Sequence, residues 1–259
     1  MTGITASGII YLEDSRLADP ELAARQDACR KEILTCGKEE HVENGSLGAV
    51  GIDDLEKAVD VPDRVLHANL YFFRDLYVLV FQGRRFRLTD RGLLLADAVH
   101  FQDRIEKRWQ ELCAGNGMSP QVRGHALEEI LAESARSEGL NVETRVRSVG
   151  EENDLVISRD HDHFLVSCKW EKKRAANHYL ESLRMRLLKR PGTLGILASV
   201  GGFSKELVRE AESNTSLGIV MLFGRGDLDR IFTGKARLAD MMVERHTSLA
   251  RYRRALFED

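Results

Sequence analysis

Apolar residues recur at helical and strand spacing along the chain, and their pattern predicts two series of elements. In the first half, Asp19 and Pro20 begin a helix, because a capping carboxylate followed by proline is typical of a helix start. Two shorter helices are predicted after it, one over 52–58 and one that begins at Pro62. The second of these has Leu66 and further apolar residues at helical spacing on one face, so it should pack against a core.

A hairpin and a long helix complete the first series. Strand-like runs at 77–81 and 85–88 flank Gln82-Gly83-Arg84, a tripeptide typical of a tight turn. Thr89 then caps a helix that is predicted to reach Leu112. Three helices, a hairpin and a helix resemble a winged helix-turn-helix domain, and Leu88-Thr-Asp-Arg-Gly-Leu93 is similar to a common ending of such domains. The resemblance implies either DNA binding or dimerisation, and both stay open.

Residues 114–120 interrupt the helical pattern. This stretch contains Gly115, Gly117 and Pro120, which do not continue a helix. The interruption predicts a linker at 114–120 between a mostly helical winged helix-turn-helix domain at 1–113 and a second domain at 121–259.

The second half alternates between helices and strands. The pattern predicts, in order, a helix over 124–137, strands over 142–149, 154–158 and 164–170, a helix over 175–189, a strand over 194–199, a helix that Ser204 caps and a strand over 219–223. This order indicates an α/β fold in which a mixed sheet is flanked by helices.

Composition describes an ordinary soluble globular protein. The chain has 259 residues, 43% of them hydrophobic, and a formal net charge of −3. It has neither a signal-peptide pattern nor an apolar run near the ~18 residues of a membrane span, so we expect a cytoplasmic protein without membrane contact. The four cysteines form no CxxC pair, which argues against a structural zinc site.

Positive charge is concentrated locally. Residues 169–190 contain eight Lys or Arg against two Glu. A solvated helix face and a phosphate-binding surface both explain this run, and the second is expected for a protein that binds DNA. The residues predicted to contact nucleic acid come from this run and from the hairpin: Lys172, Lys173, Arg174, Arg184, Arg84 and Arg85.

Candidate catalytic residues follow from strand alternation. Side chains of a strand alternate between its two faces, so Ser167 and Lys169 share one face, as Glu171 would in a continued strand. A neighbouring strand can bring Asp154 close to Lys169, and the preceding helix offers Glu128. Carboxylate-rich clusters suit Mg²⁺, and a lysine can orient a water and hold a phosphate. A cross-strand ion pair between Asp154 and Lys169 is the simpler alternative.

Five short sequence motifs occur in the same order as in a known family, and together they make the resemblance specific. The second half resembles the Mrr-like branch of the PD-(D/E)xK restriction endonuclease superfamily over residues 123–232. The motifs are Gly124-His-Ala-Leu-Glu128, Glu152-Asn-Asp154-Leu-Val-Ile157, Phe164-Leu-Val-Ser-Cys-Lys169-Trp170, Gly195-Ile-Leu-Ala-Ser199 with Gly202-Phe203-Ser204, and Ile219-Val-Met-Leu-Phe-Gly224.

This resemblance implies a metal site. Asp154 and the main-chain carbonyl of Cys168 would bind Mg²⁺ or Mn²⁺, with Glu128 as a further ligand, and Lys169 would act on the attacking water. The family has an acidic residue or glutamine where this chain has Ser167, which is a poor Mg²⁺ ligand. Either another carboxylate replaces the metal ligand that Ser167 does not provide, or the metal site is impaired. Besides Glu128, the candidate carboxylates are Glu152 and Glu171.

The resemblance also implies the function. We expect a Mg²⁺-dependent deoxyribonuclease, an endonuclease that hydrolyses DNA phosphodiester bonds as a homodimer in prokaryotic restriction or genome defence. The alternative is a non-catalytic DNA-binding or regulatory protein with a degenerate nuclease fold.

Overall fold

The structure is a computed structural model that describes residues 19–115, 117–148, 151–213 and 215–256, without the side chains of 145–148 and 151–154. The chain divides into two compact units, Met1–Phe101 and Gln102–Asp259. Separate clusters of buried apolar residues lie in the two units. In the described parts of the chain, no helix combines the length and hydrophobicity that crossing a bilayer requires.

The N-terminal unit contains helices around a small antiparallel sheet. Its elements are α1 (Pro20–Asn44), β1 (Val50–Gly51), α2 (Ile52–Ala58), α3 (Asp63–Asp75), β2 (Leu79–Gln82), β3 (Arg85–Leu88) and the first part of α4 (Asp90–Ala114). The strand order is β1-β3-β2, with both pairs antiparallel. The two compact units divide within α4, ahead of the predicted linker at 114–120.

Local hydrogen bonds explain where these helices begin. The Asp19 carboxylate accepts from the backbone N–H of Glu21 at 2.8 Å, so α1 starts at the predicted residue. The Thr89 hydroxyl accepts from the N–H of Gly92 at 3.1 Å at the start of α4. Gly83, with φ of 66°, makes the hairpin turn in a backbone region that favours glycine. These three expectations are confirmed, and α1 continues to Asn44.

The C-terminal unit contains a mixed five-stranded sheet, as predicted. After α4 its elements are α5 (Pro120–Ser137), β4 (Asn141–Ser148), β5 (Glu151–Arg159), β6 (Asp162–Lys169), α6 (Asn177–Leu187), β7 (Thr193–Ser199), α7 (Lys205–Ser213), β8 (Val220–Phe223), α8 (Arg225–Phe232) and α9 (Leu238–Tyr252). The strand order is β4-β5-β6-β7-β8. Strands β4, β5 and β6 pair antiparallel, and β6, β7 and β8 pair parallel.

Helices cover this sheet. The helix α5 packs against β4, β5 and β6. Helices α6 and α7 bury Leu180, Leu183 and Leu207 in one cluster with Leu165 and Leu197 of the sheet. The sheet strand that carries Lys169 therefore lies centrally, between antiparallel and parallel neighbours. Sequence analysis predicts no element after 223, so α8 and α9 are additions from the structure.

Candidate active site

Lys169 is the last residue of β6 and pairs with Ser199 of β7. Because side chains alternate along the strand, Ser167 and Lys169 share the face on which Leu165 packs against α6. Ser167 is buried, with 1% of its surface exposed, and Lys169 is half-buried. The strand thus places a sheltered hydroxyl behind an accessible amine, in the arrangement that alternation predicts.

Tyr179 connects Lys169 to Glu171. The Lys169 Nζ lies 5.1 Å from the centroid of the Tyr179 ring, within the range of a cation–π contact. The Tyr179 hydroxyl donates a hydrogen bond to the Glu171 carboxylate, and this bond raises the pKa of Tyr179. Sequence analysis missed Tyr179; the available signal was its place in the first turn of the helix that follows the lysine strand.

Asp154 lies on the neighbouring strand β5. In the β5–β6 ladder Leu155 pairs with Val166, and Asp154 directly precedes Leu155 in β5. The side chains of Asp154 and Glu152 lie outside the described residues, and their metal-binding roles stay predictions.

Glu128 is the most sheltered carboxylate of the first turns of α5. Its side chain is 15% exposed, and its carboxylate lies 3.4 Å from Nδ1 of His125. Glu129, its neighbour, is 56% exposed and pairs with Arg108 of α4 at 3.3 Å. Because α5 packs against β5 and β6, Glu128 is the better placed of the two to act with residues of those strands.

The described side chains alone do not form a metal site. Among them, no cluster of three or more His, Cys, Asp or Glu is positioned to hold an ion. The predicted donors are nevertheless all oxygen atoms: carboxylates of Glu128 and Asp154 and a main-chain carbonyl at Cys168. Such a donor set fits a hard divalent cation such as Mg²⁺ or Mn²⁺.

Three cations lie in the loop between β6 and α6. Lys172, Lys173 and Arg174 are all exposed, as binding to phosphate requires. The loop is tied to the turn after β7, where Ala175 N–H donates to the Gly202 carbonyl at 2.9 Å. A Cβ at Gly201 would lie only 2.3 Å from the Lys173 carbonyl oxygen, so glycine is required for this close approach.

Arg184, which the sequence predicts to bind DNA, does not lie on this exposed surface. Only 4% of the residue is exposed. Its guanidinium donates to the Glu210 carboxylate at 2.9 Å and to the Glu210 carbonyl at 3.0 Å. Burial lowers the pKa of Arg184. The side chain joins α6 to α7, and its guanidinium is too buried to contact a phosphate.

The two predicted hairpin arginines are exposed in the N-terminal unit. Arg84 pairs with Asp53, and Arg85 donates to the Ala49 carbonyl at 2.9 Å. Both guanidinium groups therefore already have local acceptors, and their contacts with DNA stay predictions.

The C-terminal unit thus combines a mixed sheet, a lysine at the end of its central strand and exposed cations in the loop that follows. Residues 120–231 match the model of the Mrr_cat family, described as restriction endonuclease. This part of the chain is therefore similar to Mrr-type restriction endonuclease domains.

Other comparisons add little. No curated protein matches the chain. A crystal structure of protein VC1899 from Vibrio cholerae is similar with 15% identity and a TM-score of 0.34, over 84% of this chain and 56% of that one. The chain thus spans little more than half of that protein's length, and so low a TM-score supports no conclusion about fold or activity.

Proposed function

We propose that the protein is a metal-dependent endonuclease that hydrolyses phosphodiester bonds of DNA. The observation that carries this proposal is the position of Lys169: at the end of β6, on the face of Ser167, with its amine against Tyr179. That position lies inside the segment that matches a restriction endonuclease family.

Lys169 would hold a non-bridging oxygen of the scissile phosphate and orient the attacking water. Glu128, Asp154 and the carbonyl of Cys168 would hold Mg²⁺ or Mn²⁺. When bound, such an ion offsets charge that develops on the phosphate and lowers the pKa of a water. Glu171 fixes the Tyr179 hydroxyl, and the Tyr179 ring in turn positions the lysine amine.

Exposed cations would bring DNA to this site. Lys172, Lys173 and Arg174 form a basic loop directly after the lysine strand. The N-terminal unit, a helix-rich domain with a three-stranded antiparallel sheet, supports a winged helix that binds DNA or pairs two chains. Homodimer formation, a cytoplasmic location and a role in prokaryotic restriction or genome defence belong to this proposal as expectations.

Ser167 favours a second candidate, a DNA-binding protein that has lost cleavage. The hydroxyl is buried on the lysine face, where the resemblance expects an acidic residue or glutamine. A serine hydroxyl contributes less to a Mg²⁺ site than a carboxylate does.

Plasmid cleavage tests the proposal. The purified protein, mixed with supercoiled plasmid, should nick or linearise it with Mg²⁺ or Mn²⁺ and not with EDTA. Lys169→Ala should abolish cleavage, with DNA binding and the circular dichroism spectrum unchanged. Lys235→Ala, which removes an exposed lysine between α8 and α9, is the matched control and should cleave normally.

Two results would decide against this assignment. Full cleavage by a folded Lys169→Ala variant would remove Lys169 from catalysis. Absence of cleavage by the wild type with either metal, while it still binds DNA, would favour the non-catalytic alternative.

A further inference from the structure

A cavity of about 340 Å³ opens directly after the lysine strand. Its lining residues all belong to the C-terminal unit: Pro120, Arg123, Trp170, Glu171, Lys172 and Lys173. The volume falls at the lower end of the range for small-ligand sites, roughly 300 to 1,000 Å³. The family match does not assign a role to this cavity.

The Trp170 indole forms a rigid aromatic wall. Its ring packs edge-on against Trp109, with centroids 5.6 Å apart. The Arg123 guanidinium carbon lies 5.5 Å from the Trp170 centroid. Only 8% of Trp170 is exposed, so a base would pack against the small accessible part of the indole and the Arg123 guanidinium over its ring.

Arg123 has an unused hydrogen-bond donor at this wall. Within the described residues, its Nε is buried and has no hydrogen-bond partner, and no carboxylate forms an ion pair with it. Arg108 of α4, in contrast, is engaged by Glu129 and Glu133. A buried donor without a partner is unfavourable, so an anionic acceptor at Arg123 would stabilise the site.

The cavity carries three cations and one carboxylate. Lys172 and Lys173 are exposed beside Arg123, whereas Glu171 already accepts the Tyr179 hydroxyl. A bare phosphate would use the cations and leave the indole uncontacted. A nucleotide would use both, because its base packs on an aromatic face and its phosphate binds guanidinium and ammonium groups.

We propose that this cavity binds one unpaired nucleotide of the DNA substrate, with the base against Trp170 and the phosphate on Arg123 and Lys172. The inference rests on the proposed nuclease function and adds a substrate class: DNA with an unpaired nucleotide near the scissile phosphate. Glu171 joins the two places, since it lines the cavity and holds the tyrosine that contacts Lys169.

The binding test uses oligonucleotides with 2-aminopurine, whose fluorescence falls when it stacks on an aromatic ring. One duplex carries the probe as a single-nucleotide bulge, and the matched duplex carries it fully paired; both are titrated in EDTA, so that cleavage does not interfere. The wild-type protein should quench the bulged probe and bind that duplex about tenfold more tightly, the effect expected of one stacked base.

Arg123→Met keeps the length of the side chain and removes its charge. This variant should lose most of the preference for the bulge, and its affinity for the paired duplex should change less than twofold. Arg136→Met is the matched control, because it removes the same charge from α5 about 20 Å further along the helix. The control should keep the wild-type preference for the bulged duplex.

Each possible result of these measurements either supports or overturns the cavity assignment. Equal wild-type affinity for bulged and paired duplexes overturns the cavity assignment, as does an equal loss in the Arg123→Met and Arg136→Met variants. If the wild type prefers the bulge but never cleaves, the nuclease proposal fails and the cavity stands; if it cleaves without that preference, the reverse holds.

Discussion

Among the described residues, Lys169 contacts the face of the Tyr179 ring and not a hydrogen-bond acceptor. A contact between an ammonium group and an aromatic face uses none of the three N–H bonds. The amine can therefore donate to a phosphate and a water while Tyr179 holds it in place. The hydrogen bond from the Tyr179 hydroxyl to Glu171 raises the pKa of Tyr179.

Ser167→Glu tests whether a metal occupies the face that Lys169 shares. The residue is buried, so a carboxylate introduced there is unfavourable unless a cation compensates it. In EDTA we expect the variant to melt several degrees below the wild type. Mn²⁺ should recover that loss, and calorimetry should show tighter metal binding than in the wild type.

Ser167→Gln is the control for size, since it introduces a similar volume without the charge. Its melting temperature should respond to Mn²⁺ no more than that of the wild type. If Mn²⁺ raises the melting temperatures of the Glu and Gln variants equally, no metal binds beside residue 167.

The basic run of 169–190 is not one surface. Lys172, Lys173 and Arg174 are exposed in the loop before α6, whereas Arg184 is buried within the helix. Arg190 lies beyond the other end of α6, which at 11 residues is about 16 Å long. Only the loop cations directly follow Lys169, and they are the ones expected to meet phosphates at the site.

Neutralising the loop should therefore flatten the salt dependence of DNA binding. Replacing Lys172, Lys173 and Arg174 by Gln should reduce the slope of log K against log salt by about 2 to 3, since each phosphate contact contributes ~0.9. Fluorescence anisotropy on a fixed duplex over a series of salt concentrations measures this slope.

The matched triple variant replaces Arg251, Arg253 and Arg254 by Gln. These arginines are exposed near the end of the described chain, so the same charge is removed from another place. An equal change of slope in both triples would indicate a general charge effect and no phosphate site in the loop.

The C-terminal unit extends beyond the matched family segment at both ends. Before it, Trp109 donates to Asp229 at 2.7 Å and packs against Phe232. After it, Met241 and Leu249 of α9 are buried. The matched residues 120–231 therefore leave part of their core to be completed by flanking segments.

A buried ion pair holds α9 in this unit. The guanidinium of Arg245 donates to the Asp227 carboxylate, and both residues are buried. Asp227 also accepts from the Gly224 N–H at 3.0 Å and so caps α8. Removing one partner of a buried pair typically costs about 3 to 5 kcal/mol, because the other charge stays uncompensated.

Asp227→Asn should accordingly lower the free energy of unfolding of this unit by about 3 kcal/mol in urea denaturation. Asp240→Asn, an exposed change in the first turn of α9, should cost under about 1 kcal/mol. A double variant with Arg245→Met should recover part of the loss. Equal stability of Asp227→Asn and wild type would show that the pair contributes nothing to the fold.

Much of the fold was predictable from short stretches of sequence. Asp19, Thr89 and Ser204 mark helix starts because a capping side chain bonds to a backbone N–H within three residues. The shared face of Ser167 and Lys169 follows from strand alternation alone. The order of helices and strands was enough to predict a mixed sheet, because it limits how the strands can connect.

Contacts between distant segments were beyond that reasoning. The local sequence predicts that Arg184 lies at the surface. In the structure its guanidinium instead donates to the Glu210 side chain of another helix. Tyr179 gained a role only because α6 packs its first turn over the end of β6. Helix capping and strand alternation depend on residues only a few positions apart, so the local sequence is enough to predict them. Burial and the partners of a charge depend on which elements pack together, and the tertiary structure alone decides them.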